Sequence, residues 1–261
     1  MRASDHTGSS RPAQRQAEIA EYVLQHGSVS ANELAEVFQV SLMTIHRDLD
    51  ELERQGVVRK YRGGASAQPS SVFESNVSYR KRAAREEKLA LARRAREMIE
   101  PGMAVILDDS TTTLELARLI VDINPLTVIT NFLETIKLLA NAPGIRLMAL
   151  GGEYHPSHDS FLGVPCIEAI EALRSDLLFA STSAIVGAHA YHQEQEIVLV
   201  KRAMIRAAQR SVLMVDHTKF GRVALHRLAP LRDFDLVLVD SKAPESALME
   251  LREHGVPYEL A

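Results

Sequence analysis

Acidic and hydroxyl side chains follow a buried, strand-like run in the second half of the chain. The apolar run Met103–Leu107 leads into DDSTTT, residues Asp108–Thr113, where a helical pattern begins. Free backbone N–H groups and hydroxyls at the start of a helix attract anions such as phosphate. The pattern therefore predicts an anion-binding loop whose hydroxyl residues are Ser110, Thr111, Thr112 and Thr113.

Five other strand-like runs also end in small, polar or charged residues, and in open α/β sheets ligands bind beyond the carboxyl ends of the strands. Any one of these residues could simply cap the next helix. Together, six such ends favour a crevice for a polar, phosphorylated small molecule. The residues at the other five ends are Asn131; Gly151, Gly152 and Glu153; Ser181, Thr182 and Ser183; Asp216 to Phe220, including Lys219; and Asp240.

The elements that must position these residues alternate between strand and helix. Apolar strands joined by helical crossovers predict a mostly parallel sheet that is covered on both faces. The predicted strands are Met103–Leu107, Leu126–Thr130, Ile145–Leu150, Asp176–Ala180, Ser211–Val215 and Asp235–Val239. The predicted helices include Ala84–Ile99, Thr113–Val121, Phe132–Asn141, Val164–Leu173 and Glu196–Gln209.

A second set of residues, near the amino terminus, has side chains that suit DNA. Residues 41–53, SLMTIHRDLDELE, predict a helix that Ser41 caps. Its buried face is predicted from the spacing of Ile45, Leu49 and Leu52. Side chains that point away from this face could reach base edges and phosphates in a major groove. They are Met43, Thr44 and Arg47.

The sequence around this helix strengthens the prediction of a winged helix-turn-helix. A first helix is predicted over Arg11–His26, ended by Gly27, and Ser30 with Glu33 form a capping-box pattern for a second. The buried face of that second helix is predicted to be Leu34, Val37 and Phe38. After the third helix, VVRKYRGGA predicts a two-stranded wing with a turn at Gly63-Gly64 and cations for a phosphate backbone. Those cations are Arg59, Lys60 and Arg62.

Composition sets the limits on these predictions. The 261 residues, 46% of them hydrophobic, suit one large or two modest domains, and a formal net charge of −4 requires any DNA-binding charge to be local. The single cysteine, Cys166, excludes an internal disulfide, fits a reducing compartment and is most simply a packing residue. Without a secretory or membrane-spanning pattern, we expect a soluble cytoplasmic protein with a disordered tail of about ten residues.

The segment from Arg11 to Ala65 resembles the amino-terminal signature of the DeoR family of bacterial transcriptional regulators. It includes the stretch VSANELAEVFQVSLMTIHRDLDELERQGVVRKYRGGA, residues 29–65. The sequence departs from that signature at His46, where arginine is more usual, and at Tyr61-Arg62. The resemblance places His46 on the DNA-reading helix. Later segments resemble the family's sensor domain, in this order: DDSTTTLELAR, VITN, LGGE, VKRAMI and VDHTKFG.

The resemblance implies a sensor with a fold like ribose-phosphate isomerases and coenzyme A transferases, which binds phosphorylated sugars. By motif, the hydroxyl loop and Lys219 would hold the phosphate. Residues 181–196, STSAIVGAHAYHQEQE, depart from the family pattern, which leaves the identity of the sugar open. The residues that would meet the sugar hydroxyls are Asp109, Asn131, Gly151, Gly152 and Glu153.

Two alternatives remain open. His189, His192 and Glu194 could bind a metal in a metal-responsive regulator, although the spacing matches no strong motif and the segment is predicted to be a loop. Asp109, Glu196 and Lys219 could form the acid–base set of a sugar-phosphate isomerase.

The favoured interpretation is a repressor of carbohydrate genes, not an enzyme, with no cofactor and no bound metal. A winged helix at 11–66 binds double-stranded operator DNA, residues 67–82 form a linker, and an α/β domain at 83–261 binds a phosphorylated sugar or sugar acid. Because one winged helix makes few contacts, we expect a homo-oligomer, a dimer or tetramer, joined through the α/β domain.

Overall fold

The computed structural model describes residues 11–54, 57–67 and 70–261. The chain divides into two compact units, Met1–Pro69 and Ser70–Ala261. The predicted amino-terminal tail lies outside the described residues. Within the described ranges, no helix has the length and apolar character needed to cross a membrane.

The amino-terminal unit contains three helices and a small antiparallel sheet, in the chain order of a winged helix-turn-helix. Ser30 and Ser41 cap the second and third helices, each accepting a bond from the backbone N–H three residues ahead, at 3.1 and 3.2 Å. The helices are α1 (Arg11–His26), α2 (Ala31–Val37) and α3 (Leu42–Arg54), and the strands are β1 (Ser28–Ser30), β2 (Arg59–Tyr61) and β3 (Gly64–Ser66).

The core of this unit follows the predicted helical spacing on α3, where Ile45 and Leu49 are fully buried. The prediction for α2 is wrong at Val37, which is 47% exposed. The reason is that α2 ends at Val37, so that only Leu34 of the predicted face is fully buried.

The wing has three strands, where the sequence predicted two. Its order is β1-β3-β2, because Val29 of β1 pairs with Ala65 of β3. Gly63, with φ +97°, supplies the turn between β2 and β3. A strand of only three residues before α2 carries too weak a pattern to be separated from the helix cap.

The carboxy-terminal unit is built on a parallel sheet of seven strands in the order β15-β14-β12-β9-β4-β5-β6. Its strands are β4 (Ala104–Leu107), β5 (Leu126–Thr130), β6 (Ile145–Ala149), β9 (Ser175–Ala180), β12 (Ala208–Val215), β14 (Leu236–Val239) and β15 (Tyr258–Leu260). Its helices are α4 (Val77–Arg82), α5 (Arg85–Arg96), α6 (Thr111–Leu119), α7 (Leu133–Leu139), α8 (Val164–Glu171), α9 (Gln195–Ala207) and α10 (Glu245–Glu253).

Successive residues of β4 pack into different cores, as expected for a strand that is buried on both faces. Val105 and Leu107 join the core that includes residues of α5 and α6. Ile106 joins the core on the other face, which includes residues of α8 and α9. The predicted doubly covered parallel sheet is therefore confirmed.

The order in which the chain adds strands to the sheet reverses at its centre. β4 pairs with β5 on one side and with β9 on the other, so the chain order reverses between β4 and β9. Such a switch point opens a crevice at the carboxyl ends of the two strands. The segments that follow β4 and β9 at this crevice are Asp108–Ser110 and Ser181–Ser183.

Two parts of the unit differ from the sequence expectations. Residues 70–82, expected in a linker, belong to the carboxy-terminal unit and include α4. The segment expected to be a loop with metal-binding potential contains strand β11 (His189–His192), which pairs with β10 (Ala184–Val186) and β13 (His226–Pro230). A hairpin of β7 (Glu153–His155) and β8 (Ser160–Leu162) was not predicted.

Candidate functional site

A small polar cavity lies at the switch point of the parallel sheet. Hydroxyl residues that follow β4 and β9 line it, and charged side chains from α4, α5, α9 and the segment after β12 complete it. The lining residues are Ser110, Thr111 and Thr112; Ser181, Thr182 and Ser183; the acids Glu74 and Asp109; and Arg80, Lys88, His192, Lys201 and Lys219.

The hydroxyl loop is held in place by its own hydrogen bonds. Ser110 Oγ accepts from the backbone N–H of Thr113 at 3.1 Å and so caps α6. The Thr113 hydroxyl donates to Asp108 O at 2.9 Å, which is an interior contact. Thr111 and Thr112 line the cavity at the first turn of α6, where helix N–H groups favour an anion.

Beside this loop is a buried ion pair that the sequence predictions missed. Lys201 Nζ contacts Asp108 Oδ2 and lies 3.2 Å from Asp109 Oδ1. Burial opposes the charge of Lys201, but the two aspartates outweigh it and raise its pKa. Burial likewise opposes ionisation of Asp109, and Lys201 holds its pKa below the ordinary value. Asp109 and Lys201 are therefore both charged, and the charge of Lys201 is balanced within the protein.

Three further basic side chains line the cavity, Arg80, Lys88 and Lys219, and Arg80 is only partly hydrogen-bonded. Its Nε donates to Ser75 O at 3.0 Å, while its Nη2 is buried without a hydrogen-bond partner among the described residues. Lys219 Nζ is 3.9 Å from Asp216. Lys88 donates to the Arg80 and Ala83 carbonyls, and burial, with Lys219 next in importance, lowers its pKa to about 7.

One acid and one histidine, Glu74 and His192, also line the cavity. The Glu74 carboxylate accepts from the Ser183 hydroxyl, and its Oε2 lies 3.8 Å from His192 Nε2. Burial lowers the pKa of His192 to about 3, so this imidazole is neutral near pH 7. The cavity thus combines cationic and hydroxyl groups with neutral and acidic ones, which suits a ligand that has a phosphate and a polar remainder.

In the amino-terminal unit, the exposed face of α3 carries the residues predicted to meet DNA. Met43 is 65% exposed and Arg47 is also exposed, while His46 is half-buried. Ser41 and Thr44 are hydrogen-bonded to each other through their hydroxyls at 2.9 Å. The cap therefore fixes the first turn of the helix, from which base contacts are made in helix-turn-helix proteins.

The wing cations lie in different environments. Arg62 is exposed. Lys60 Nζ contacts Asp50 of α3, and its backbone N–H donates to Glu53 Oε1 at 2.7 Å. Arg59 is half-buried, and its Nε has no hydrogen-bond partner among the described residues.

Comparisons with known proteins give the family. The DeoR C terminal sensor domain model matches residues 83–241, and the DeoR-like helix-turn-helix domain model matches residues 15–71. The chain belongs to the DeoR family. This DeoR-family chain is therefore a transcriptional regulator, as the signature predicted.

Relatives of this regulator align along almost their whole length. The glycerol-3-phosphate regulon repressor of Escherichia coli K12 is 33% identical over 96% of this chain and 99% of its own. The HTH-type transcriptional repressor GlcR of Bacillus subtilis is 30% identical over 91% of each chain.

Among solved structures, ribose 5-phosphate isomerase A of Methanocaldococcus jannaschii is similar over 53% of this chain and 55% of its own, at TM-score 0.38 and 18% identity. So distant a likeness says nothing about activity.

Only part of the predicted effector set comes together in this DeoR-family sensor. Asp109, Lys219 and three of the four loop hydroxyls line the cavity, whereas Thr113 points inward. The remaining predicted residues, Asn131, Gly151, Gly152 and Glu153, are not among its lining residues.

Those four residues have other surroundings. The Asn131 amide donates to Phe161 O at 3.0 Å, and Glu153 is exposed on β7. Gly152 is required by the chain itself, because a Cβ there would lie 2.2 Å from Leu162 O. Gly151 has no atom within 4 Å of an added Cβ. Close packing of the backbone therefore accounts for the glycine at 152, whereas no neighbouring atom accounts for the one at 151.

The two alternative sets are also separated by the fold. His192 faces the cavity, but Glu194 binds His158 at 2.7 Å, and no group of metal-ligating side chains occurs in the described ranges. Glu196 lies 3.3 Å from His155, outside the cavity that contains Asp109 and Lys219. Within the described part of the chain, the side chains of each alternative set are therefore not brought together in one place. Cys166 is fully buried and packs in the core, where burial raises its pKa to about 12.

Proposed function

We propose that this regulator is a repressor whose winged helix binds operator DNA and whose polar cavity binds a phosphorylated sugar or sugar acid that releases the operator. The observation that carries the proposal is the combination of the hydroxyl loop at the start of α6 with Arg80, Lys88 and Lys219 in one cavity. A phosphate monoester carries up to two negative charges and three acceptor oxygens, which such donors satisfy.

The charge pattern also supports a sensor and not a turnover enzyme. Asp109 is tied to Lys201, and Glu196 lies elsewhere, so neither carboxylate is available as a general base beside Lys219. One relative's name states that it represses the glycerol-3-phosphate regulon. A phosphorylated effector for this chain is consistent with that name.

We also propose that the protein acts as a homo-oligomer. A single recognition helix makes too few base contacts for operator-grade specificity, and paired half-sites supply the rest. Light scattering on the full chain tests this directly. A monomeric protein that protects a single operator half-site with the affinity it shows for the complete operator would contradict the homo-oligomer.

The function is tested by operator binding in the presence of a panel of sugar and sugar-acid phosphates. We expect one member of the panel to weaken binding to DNA from the gene's own upstream region. Thr112→Asp places a carboxylate where the phosphate is proposed to bind, so this variant should keep operator affinity and lose the response.

The control is Ser246→Asp, the same kind of change at an exposed site on α10. It should leave both operator affinity and response unchanged. An unchanged response in Thr112→Asp would overturn the effector site. Steady-state turnover of a panel member would overturn the sensor.

A further inference from the structure

Glu74 is a buried carboxylate inside the proposed effector cavity, and it lies on the segment that leads to the DNA-binding unit. It is 8% exposed and is separated by six residues of chain from Ala67, which belongs to the amino-terminal unit. Its Oε1 accepts from the Ser75 N–H at 2.8 Å, and its Oε2 accepts from the Ser183 hydroxyl. The carboxylate therefore closes the side of the cavity formed after β9.

The charge on Glu74 is stabilised by the cations that would hold a phosphate. Burial opposes its ionisation, but Arg80, with contributions from Lys219 and the Ser183 hydroxyl, outweighs burial and lowers its pKa to about 2. Glu74 is thus an anion near pH 7. A phosphate in the same cavity would compete for Arg80 and Lys219 and would be repelled by the carboxylate.

The segment that carries Glu74 is fastened at both ends by residues of this region. Gln193, next to His192, donates its side-chain amide to Ser70 O at 3.1 Å. Arg80 Nε donates to Ser75 O at 3.0 Å. A movement of Glu74 or Arg80 on ligand binding would therefore disturb residues 70–76, through which the chain reaches the winged helix.

We propose that the Glu74 carboxylate occupies the anion site of the effector cavity when no ligand is bound, and that phosphate displaces it. The displacement of Glu74 loosens residues 70–76 and so changes operator affinity. The inference rests on the effector site proposed above. It supplies what allosteric control requires, a contact that exists in one state only and that the ligand disfavours.

The test is calorimetric titration of the full chain with inorganic phosphate. Glu74→Gln keeps the size of the side chain and removes the competing charge, so phosphate should bind at least about tenfold more tightly than to wild type. The matched control is Glu168→Gln, the same change at an exposed site on α8 of the same unit, which should bind like wild type. Equal or weaker binding to Glu74→Gln would overturn the proposal.

A second measurement uses the wild-type protein alone and does not depend on how the variant folds. Phosphate should speed hydrogen exchange in residues 70–76, above all at the Ser75 amide, whose bond to Glu74 would break. Unchanged or slower exchange there, at a phosphate concentration that saturates the site, would show that Glu74 stays in place.

The two proposals fail in different ways. If wild type binds phosphate and Glu74→Gln binds it no more tightly, only the displacement of Glu74 is wrong. If neither protein binds phosphate and no phosphorylated sugar alters operator binding, the effector site itself is wrong.

Discussion

The charged groups proposed to bind ligands lie in different environments in the two units. In the winged helix, Met43, Arg47 and Arg62 are exposed, and the ion pair of Lys60 with Asp50 is solvent-accessible, with side-chain exposures of 24% and 64%. In the sensor, Lys201 and Asp108 are 4% and 0% exposed. Exposed charges contribute little to folding and remain available to a polyanion, whereas buried charges must be neutralised inside the protein.

This difference separates stability from binding. A surface charge can be removed from the winged helix with a loss of DNA affinity and almost none of folding free energy. A charge removed from the sensor cavity leaves its partner buried and unpaired. Four predictions test the contrast, and they are ordered by the free energy at stake.

The largest effect is expected at Lys201. Lys201→Ala leaves Asp108 and Asp109 buried without their cation, and breaking such a pair costs about 3–5 kcal/mol of folding free energy. Urea unfolding of the carboxy-terminal unit measures the loss. The control is Lys137→Ala at an exposed site on α7, which should stay within about 0.5 kcal/mol of wild type. A loss below about 1 kcal/mol at Lys201 would show that the buried charges are not strongly coupled.

Lys201 also shows what the sequence could predict and what it could not. The order of the six predicted strands with the helices between them, the parallel sheet and the hydroxyl loop follow from periodicity and from residue types at strand ends. Lys201 itself lies i+4 from Ile197 and three residues before Met204, in a row that periodicity assigns to the core. A lysine in such a row indicates that it has a buried partner. Its partners here, Asp108 and Asp109, follow β4 and are far from it in the sequence, so no local sequence pattern identifies them.

The same signal occurs twice more. Asp48 lies within the buried face of α3, where Arg15 of α1 binds it at 2.6 Å, and Lys88 precedes Leu91 and Ala95 on α5. Charged residues inside apolar helical rows were thus the best available pointers to buried polar contacts.

Glycine and asparagine after strands were ambiguous pointers to a ligand site, because backbone packing uses the same residues. Gly152 and Asn131 are the examples here, since each is engaged by the β8 region of the chain. Sequence alone could not separate the two uses, because the backbone that approaches them is defined only by the fold.

The second prediction concerns Arg47, on the exposed face of α3. Arg47→Ala should weaken operator binding by about 1–3 kcal/mol if the guanidinium makes a bidentate base contact, with folding free energy unchanged within about 0.5 kcal/mol. Fluorescence anisotropy against operator and random duplexes measures the difference.

Arg54→Ala is the control for Arg47, because Arg54 lies on the same helix about 10 Å further along and is bound to Glu51. It should change operator affinity by less than about 1 kcal/mol. Equal losses in the two variants would mean that α3 does not read bases through its first turns.

The third prediction is a pH dependence that belongs to the buried cavity alone. Burial lowers the pKa of Lys88 to about 7, and a bound phosphate should raise it again because the anion favours the charged amine. Affinity is therefore fully present below pH 7 and falls as pH rises through the higher pKa of the complex, by up to about tenfold per pH unit.

Methyl phosphate is a suitable probe, since a monoester with a second pKa near 6 is already a dianion in this range. Titrations from pH 7 to about pH 9 should show the decline in wild type and in Lys242→Met, whose lysine is exposed. Lys88→Met should bind more weakly and with a flat profile. A decline that persists in Lys88→Met would assign the titration to another group.

The smallest effect is expected at the solvent-accessible pair of Lys60 with Asp50 in the winged helix. An exposed pair of this kind is worth about 0–1 kcal/mol, so Lys60 can exchange Asp50 for a DNA phosphate at little cost. Asp50→Asn removes the competing carboxylate, and affinity for a random duplex should rise by less than about 1 kcal/mol. The gain should fade as salt is raised, because screening weakens the repulsion between Asp50 and the phosphates. Anisotropy at two salt concentrations measures it, with Glu18→Gln on α1 as the control for loss of one surface charge. If Asp50→Asn and Glu18→Gln gave the same small gain in duplex affinity, net charge alone would set that affinity. Lys60 would then not contact the DNA backbone.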